Sequence, residues 1–354
     1  MSDTFLLNGK ETPFKPGQMI LDAARNGGIE IPTLCYLKDA APTGACRICL
    51  VEVKGARSLM ASCSTPVTTG MEVFTDSDLV HQARKLNVEL LLASGTHNCL
   101  VCEANGNCRL QDLAYFYKIT ELRFKEKELS DIYPKEDTNP FIVRDFSRCI
   151  LCGRCVQACN ELVVNRAISQ GYRGAESKIV TGGDCPYNES ECVFCGQCVQ
   201  VCPVGALTEK KAKGLGRPWE VQKIRTTCPY CGVGCQQWLH VKDGKIVKVT
   251  AVEDAQPNQG RLCVKGRFAY DFIYSEERLK TPLIRQKNGE FREASWDEAL
   301  DLVADKFKEI IKKDGPDAIA GVSCARSINE DSYQMQKLFR AVIGTNNIDH
   351  CART

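Results

Sequence analysis

The sequence lacks several features that would assign it to a common class of protein. Its longest apolar run, near residues 90–93, is far too short to cross a bilayer, so we expect no transmembrane segment. Its first residues have neither a basic nor an apolar segment, so we expect no signal peptide and a cytoplasmic location. Neither charge dominates, since 46 Lys and Arg face 44 Asp and Glu. This balance provides no basic surface for nucleic acid.

Cysteine, in contrast, is present in excess. The chain has 22 cysteines in 354 residues, several times the usual share. One explanation is a disulfide scaffold, which is normally short and secreted. Here the chain is long, and many cysteines lie two to four residues apart, as metal ligands do. We therefore predict a metal-binding protein of two or three folded domains.

The first cysteine group contains Cys35, Cys46, Cys49 and Cys63, spaced C-x10-C-x2-C-x13-C. Thiolate sulfur is a soft ligand that suits iron. Small residues at positions 43–45 precede the tight loop between the second and third cysteines, which leaves backbone N–H groups free to point at a cluster. The spacing differs from the plant-type C-x4-C-x2-C pattern. The alternative is four unrelated buried cysteines.

The second group contains Cys99, Cys102 and Cys108, with His97 two residues before the first of them. Three cysteines are one ligand short of a four-iron cluster, and histidine can replace cysteine at iron. His97 is therefore the candidate fourth ligand. The alternative is that His97 is an ordinary surface histidine and the fourth position is open.

The third group is a repeat with a period of 43 residues. The cysteines of its first copy are Cys149, Cys152, Cys155 and Cys159, and those of its second copy are Cys192, Cys195, Cys198 and Cys202. A fixed period indicates a duplicated unit. The spacing is the bacterial two-cluster pattern, in which the last cysteine of each copy binds the other cluster. We predict one four-iron cluster on Cys149, Cys152, Cys155 and Cys202, and another on Cys192, Cys195, Cys198 and Cys159.

The fourth group is Cys228, Cys231, Cys235 and Cys263, spaced C-x2-C-x3-C-x27-C. Four ligands fit one four-iron cluster, while C-x2-C pairs also bind zinc, which is the alternative. The cysteines outside the four groups are Cys185, Cys324 and Cys351. We interpret them as structural, because free buried cysteine is usually inert.

Local patterns predict several elements of secondary structure. Asn8-Gly9 and Asp243-Gly244 each lie between apolar stretches and predict hairpins. Helical periodicity predicts a helix at residues 79–93. Dense charge at residues 121–139 predicts a solvated connection.

The last part of the chain alternates between helix and strand signals, as in the opening of an α/β domain. Capping boxes that begin at Ser295 and Ser327 predict two helices. Residues 317–323 are expected to form a buried strand, and residues 347–349 a further one. The apolar face of the second helix, at residues 330–342, is expected to be partly exposed.

Together these motifs resemble a known arrangement of iron–sulfur domains. Roughly the first 208 residues resemble the electron-entry module shared by the large iron–sulfur subunit of respiratory complex I, iron-only hydrogenases and formate dehydrogenases. The segments TLCY (33–36), GACRIC (44–49) and residues 102–112 carry this resemblance. The segments TCPYCGVGC (227–235) and GRLCVKGR (260–267) are similar to the first domain of molybdenum or tungsten bis-pterin oxidoreductases. Residues 268–285 look like the formate dehydrogenase branch.

Two positions deserve comparison with the family pattern. In the family, three residues usually separate the histidine from the first cysteine of the second group. In this chain the residue at that histidine position is Gly95. This departure bears on which residue is the fourth ligand, and it does not change the expectation of a cluster. The family also has a lysine two residues after the last cysteine of the fourth group, between cluster and pterin. Lys265 matches this lysine, which implies a cofactor-binding role.

The resemblance implies an α+β multidomain fold. The implied domains are a β-grasp 2Fe–2S ferredoxin domain (1–80), a His/Cys3 four-iron segment (81–122), a two-cluster bacterial ferredoxin domain (141–212), a small β-rich 4Fe–4S domain (224–280) and an incomplete α/β domain (281–354).

The resemblance also implies cofactors and partners. We expect one 2Fe–2S and four 4Fe–4S clusters, with a molybdenum or tungsten bis-pterin guanine dinucleotide only in a complete protein. The expected partners are flavin/NAD-linked or hydrogenase-type redox subunits, and formate or CO2 is the expected substrate of a complete enzyme.

The last residues, 347–354, match a family segment that lies immediately before the selenocysteine or cysteine that binds the metal. We therefore expect a chain terminated at a selenocysteine codon, with no catalytic residues of its own and no formate oxidation by these 354 residues. The alternative is a free-standing electron-transfer subunit of an NADH dehydrogenase- or hydrogenase-type complex.

Overall fold

The structure, a computed structural model, describes residues 3–125 and 133–351. These residues form two compact units. Unit 1 comprises the described residues up to Gln222 together with His240–Lys248, and unit 2 comprises Lys223–Leu239 and the described residues from Val249 onward. No helix within the described residues is both long enough and apolar enough to cross a membrane.

Unit 1 begins with a five-stranded mixed sheet and one packed helix. The elements are β1 (Thr4–Leu7), β2 (Lys10–Pro13), α1 (Ile20–Asn26), β3 (Leu50–Val53), β4 (Met60–Ala61) and β5 (Glu72–Phe74). The strand order is β2-β1-β5-β3-β4, with β1 parallel to β5 and antiparallel to β2. Asn8 and Gly9 both have left-handed φ angles, as the predicted hairpin turn requires. Phe5, Ile20 and Val73 belong to the core between helix and sheet.

Two helices follow, α2 (Asp78–Ala93) and α3 (Arg109–Phe116). The α2 helix confirms the helix predicted from the periodicity of residues 79–93. The Ser77 side chain caps α2 by accepting a hydrogen bond from the Val80 N–H. Val88 of α2 and Leu110 of α3 are buried in the same apolar core. The second cysteine group lies on the segment that connects these two packed helices.

The repeat folds as a duplicated unit. Its elements are β6 (Ile142–Arg144), α4 (Arg154–Gln157, continued by a π-helical turn at Ala158–Leu162), β7 (Ile168–Gly171), β8 (Lys178–Thr181), α5 (Gln197–Val201) and β9 (Leu207–Glu209). Strands β6 and β9 pair, as do β7 and β8. Gly153 and Gly196, 43 residues apart, precede α4 and α5 with left-handed φ angles of 74° and 69°.

The remaining elements begin with a three-stranded sheet, β10 (Gln222–Thr227), β11 (Gln236–Lys242) and β12 (Lys245–Ala251), followed by α6 (Val264–Phe268). The rest of unit 2 contains β13 (Leu283–Arg285), β14 (Phe291–Glu293), α7 (Trp296–Asp314), β15 (Gly321–Cys324), α8 (Asn329–Lys337, continued by a π-helical turn at Leu338–Ile343) and β16 (Ile348–Cys351). Strands β15 and β16 are parallel, with α8 between them in sequence, as in an α/β domain.

Some local predictions at the end of the chain are confirmed and others are wrong. Ser295 caps α7 by accepting a hydrogen bond from the Glu298 N–H at 3.1 Å, as predicted. Ser327 does not cap α8: the N-cap is Ile328, and the Ser327 hydroxyl donates to the Cys324 carbonyl at 2.7 Å. The strand at residues 317–323 was expected to be buried, but β15 begins later and Val322 is 78% exposed.

The apolar face of the last helix is partly exposed, as predicted. Phe339 is 4% exposed and packs against Gly321, whereas Val342 is 72% exposed. The structural interpretation of the spare cysteines is wrong for Cys324 and Cys351, which are exposed and lie opposite each other in the β15–β16 ladder. The third spare cysteine, Cys185, is partly buried.

The predicted connection at residues 121–139 falls partly outside the described residues, namely at 126–132. Most of its described residues are exposed, as predicted, and Glu136 is an exception. Glu136 forms a β-bridge with Arg144, and the two side chains form a buried ion pair. The local charge pattern could not show that this one carboxylate has a buried partner.

Candidate metal centres

The four cysteines of the first group lie between α1 and β3 and immediately after β4, and all four are buried. The Cys46 N–H donates to the Cys35 sulfur at 3.5 Å. Hydrogen bonds with Cys46 and then Cys63 lower the pKa of the Cys35 thiol, and a hydrogen bond with Cys63 lowers the pKa of Cys49 to about 6. The same hydrogen bonds raise the pKa of Cys46 and Cys63, so the four thiols form one hydrogen-bonded set in which the thiolate form, the one that binds metal, is favoured at Cys35 and Cys49.

A cavity of about 290 Å³ is lined by three of the four predicted ligands of the second group, His97, Cys99 and Cys108, but not by Cys102. Burial lowers the pKa of His97, although a hydrogen bond to the Leu91 backbone opposes the effect. None of the described residues offers a hydrogen-bond partner to the buried Nε2 of His97. A neutral imidazole with one nitrogen hydrogen-bonded to the backbone and the other unpaired has the form of a metal ligand.

The structure also explains why position 95 carries no histidine. A Cβ atom built on Gly95 would lie 2.2 Å from the carbonyl oxygen of Ser147. The neighbouring Thr96 N–H donates to the same carbonyl at 2.8 Å, which fixes the two segments together. Since no side chain fits at position 95, the imidazole that reaches this cavity comes from His97.

The third group separates into two sets of sulfurs. One set lines a small apolar cavity: Cys149, Cys152, Cys155 and Cys202. The other set comprises Cys192, Cys195, Cys198 and Cys159. Burial raises the pKa of Cys198, and the nearby charges of Cys195, Cys192 and Cys159 raise it further. Backbone N–H groups donate to two sulfurs of this second set, from Phe194 to Cys192 at 3.4 Å and from Ala167 to Cys159 at 3.3 Å. Each set therefore contains one cysteine from the other copy of the repeat.

The first three groups share one apolar core in unit 1. This core includes Cys35 and Cys46 of the first group, Cys108 of the second, and Cys149, Cys152 and Cys202 of the third. Two hydrogen bonds connect the segments: the Ala41 N–H donates to Glu161 at 2.8 Å, and the Arg109 N–H donates to the Pro203 carbonyl at 3.0 Å. Cysteines of all three groups thus belong to one contiguous core.

The fourth group lies in unit 2, on the turn between β10 and β11 and at the N-terminus of α6. The Cys228 N–H donates to the Cys235 carbonyl at 2.8 Å and closes the turn. Burial, followed by the charges of Cys263 and Cys231, raises the pKa of Cys228. No group of three or more His, Cys, Asp or Glu in the described part of the chain is arranged to hold a single metal ion.

A cleft of about 1040 Å³ in unit 2 lies beside this group. Cys231, Cys263 and Lys265 line it. Its lining also contains Arg326 and Arg340, which the sequence reasoning missed. Arg326 directly follows β15, and ligands in parallel sheets bind at the carboxyl ends of strands, so its position was the available signal. Three cationic side chains fit an anionic, phosphate-bearing ligand.

The cysteine groups, their shared core and the adjacent cleft define an iron–sulfur electron-transfer module. Family models match five consecutive stretches of the chain: a 2Fe–2S iron–sulfur cluster binding domain (4–78), an NADH-ubiquinone oxidoreductase-G iron–sulfur binding region (84–123), a 4Fe–4S dicluster domain (148–206), a molybdopterin oxidoreductase Fe4S4 domain (221–275) and a molybdopterin oxidoreductase domain (278–354).

Known proteins agree with these matches. The alpha subunit of an NADPH-Fe(3+) oxidoreductase from Geobacter sulfurreducens is 39% identical over 98% of this chain and 40% of its own length. A candidate formate dehydrogenase of Staphylococcus aureus is 36% identical over 98% of this chain and 39% of its own length. A crystal structure of an NAD+-reducing NiFe-hydrogenase aligns with a TM-score of 0.55 and 34% identity, covering 61% of this chain and 91% of that one.

The chain spans about 40% of the length of the curated relatives it matches. The family resemblance drawn from the motifs is confirmed: the chain belongs with the iron–sulfur portions of formate dehydrogenase-type and NADH–quinone oxidoreductase-type subunits.

Proposed function

We propose that this chain is the iron–sulfur portion of a formate dehydrogenase and passes electrons between a molybdenum- or tungsten-pterin site and a partner redox subunit. The observation that carries the proposal is the shared core of unit 1, where sulfurs of three cysteine groups come together. Electrons move one at a time between closely spaced clusters, and a common core supplies that spacing.

The proposed ligand sets follow the groups described above. The first group would hold a 2Fe–2S cluster, and the remaining groups four 4Fe–4S clusters. The mixed sheet packed on α1 supports a β-grasp ferredoxin domain in residues 1–80. The exchange of Cys159 and Cys202 between the two halves of the repeat supports the crossed assignment, because Cys202 lines the cavity of the first copy.

His97 would complete the second cluster through Nε2. Its burial, its unpaired Nε2 and its place in the cavity with Cys99 and Cys108 support this assignment. A neutral imidazole in place of a thiolate removes one negative charge from the cluster. We therefore expect a higher reduction potential for this cluster than four thiolates would give.

The cleft of unit 2 would bind the pterin cofactor. When bound, its metal would accept two electrons from formate, whose carbon also loses a proton. The chain's own contribution is charge, since Lys265, Arg326 and Arg340 all line the cleft. These cations would hold the anionic groups of the cofactor and orient it toward Cys263.

A second candidate is an electron-transfer subunit of a hydrogenase- or NADH dehydrogenase-type complex. The hydrogenase structure favours it, since this chain covers 91% of that one. However, the matched part is 61% of this chain, while the two molybdopterin oxidoreductase models match residues 221–275 and 278–354. The formate dehydrogenase proposal accounts for both of these stretches. In either case the expected acceptor is a flavin/NAD-linked or hydrogenase-type subunit in the cytoplasm.

Anaerobic iron and sulfide analysis with EPR tests the proposal. We expect about 18 iron per chain, from one 2Fe–2S and four 4Fe–4S clusters. Stoichiometric zinc with little iron would contradict it. For the second cluster, His97→Cys should lower the potential of one four-iron signal and leave the others unchanged, and an unchanged potential would assign the fourth ligand elsewhere. To separate the two candidate functions, co-purification of molybdenum or tungsten pterin from the native source supports the first, and its absence supports the second.

A further inference from the structure

Tyr187 is a fully buried tyrosine beside a cysteine of the repeat. Its hydroxyl oxygen lies 3.9 Å from the sulfur of Cys198, within hydrogen-bonding range for sulfur. A phenol is protonated at neutral pH, so its hydroxyl can donate to a thiolate, which only accepts. The local chemistry therefore fixes the direction of this hydrogen bond.

The ring of Tyr187 is held from several sides. The backbone N–H of Tyr187 donates to the Glu136 carboxylate at 2.9 Å, and its backbone carbonyl accepts from the Ser190 hydroxyl at 2.8 Å. The guanidinium of Arg144 lies 4.6 Å from the ring centroid. Arg144 is itself fixed, because its Nε donates to Glu136 at 3.0 Å. This buried frame keeps the hydroxyl directed at the sulfur.

The two halves of the repeat differ at this point. Tyr187 precedes Cys198 in the second copy, and the position 43 residues earlier is Arg144. The cysteine spacing is the same in both copies, so ligation alone gives two similar four-iron clusters. A hydroxyl donor at one copy provides a difference between them.

We propose that Tyr187 is a positioning residue that raises the reduction potential of the cluster held by Cys198, Cys192, Cys195 and Cys159. The inference rests on the ligand sets of the proposed function. A hydrogen bond to a ligand sulfur stabilises the reduced cluster, which carries one more negative charge than the oxidised one. The cluster of the second copy is thereby the better electron acceptor of the pair.

Tyr187→Phe isolates this hydroxyl, because phenylalanine keeps the aromatic ring that the Arg144 guanidinium contacts. We expect the equilibrium constant for one-electron reduction of that cluster to fall about tenfold, which is about 59 mV. The matched control is Tyr133→Phe, whose hydroxyl donates to the Glu176 carbonyl at 2.6 Å on the exposed side of unit 1. The control should shift no cluster.

The experiment is a redox titration of the full chain with reconstituted clusters, reduced by dithionite and followed by EPR. The expected result is a negative shift of one four-iron signal in Tyr187→Phe at unchanged iron content. Unchanged potentials with full iron would overturn the role of Tyr187 and leave the proposed function intact. A wild-type chain that takes up no iron would instead overturn the proposed function itself.

A second variant covers the case in which Tyr187→Phe loses its cluster. Site-specific 3-fluorotyrosine at position 187 has a more acidic hydroxyl and keeps the shape of the side chain. A stronger donor should raise the potential of the same cluster. A potential equal to that of the wild type would overturn the proposal.

Discussion

Gly205 lies so close to Cys102, a proposed cluster ligand, that one added carbon atom would clash with it. A Cβ atom built on this residue would be 2.4 Å from the sulfur of Cys102 and 3.6 Å from Cδ of Arg148. Favourable contacts are about 3.5–4.0 Å long, so Gly205→Ala forces the sulfur to move by about 1 Å or more. Overpacking of this kind costs about 1–3 kcal/mol.

Two results are expected from Gly205→Ala. Displacement of Cys102 should release the second cluster, which removes about 4 of about 18 iron atoms per chain. The strain should lower the melting temperature of unit 1, at about 2–4 °C for each kcal/mol in a domain of this size. Iron analysis, EPR and calorimetry measure these effects.

Gly182→Ala is the matched control, since no described heavy atom lies within 4 Å of a Cβ built there. It should keep its iron and its melting temperature. If Gly205→Ala behaves in the same way, the close approach between Gly205 and Cys102 does not constrain the cluster, and the steric reasoning is refuted.

Three further substitutions test the packing. Glu136→Gln leaves Arg144 buried without its carboxylate and should cost about 3–5 kcal/mol in denaturant unfolding, whereas a loss below 1 kcal/mol would show that the pair is solvated. Gly321→Ala places a Cβ 2.4 Å from the Phe339 ring and should destabilise unit 2 by about 1–3 kcal/mol, with partial recovery in the double variant that also carries Phe339→Leu. Ser295→Ala removes the α7 cap and should cost about 1 kcal/mol, and an unchanged stability would contradict the capping hydrogen bond.

Features encoded by short sequence segments were predictable. The Asn8-Gly9 turn and the Ser295 cap each depend on residues within one turn of the chain, so spacing and residue type suffice. The cysteine groups were predictable for the same reason. Ser327 failed as a cap because its hydroxyl bonds backward to Cys324, an alternative that local pattern cannot rank.

Features that depend on distant partners were not predictable. The sequence places Glu136 in a charged stretch, and only the fold brings it to Arg144. Arg326 and Arg340 were missed because cations carry no spacing signature for a cleft. Tyr187 had no signal either, since its hydroxyl meets Cys198 through the packing of the repeat.

Gly95 bears on how related chains are compared. A sequence alignment compares residues column by column. A chain with glycine in the column where its relatives have histidine would therefore be read as lacking the histidine. The Ser147 carbonyl leaves no room for a side chain at position 95, while His97, two residues later, lines the cavity of the second group. Comparisons of such chains should therefore record where an imidazole lies in space as well as its place in the sequence.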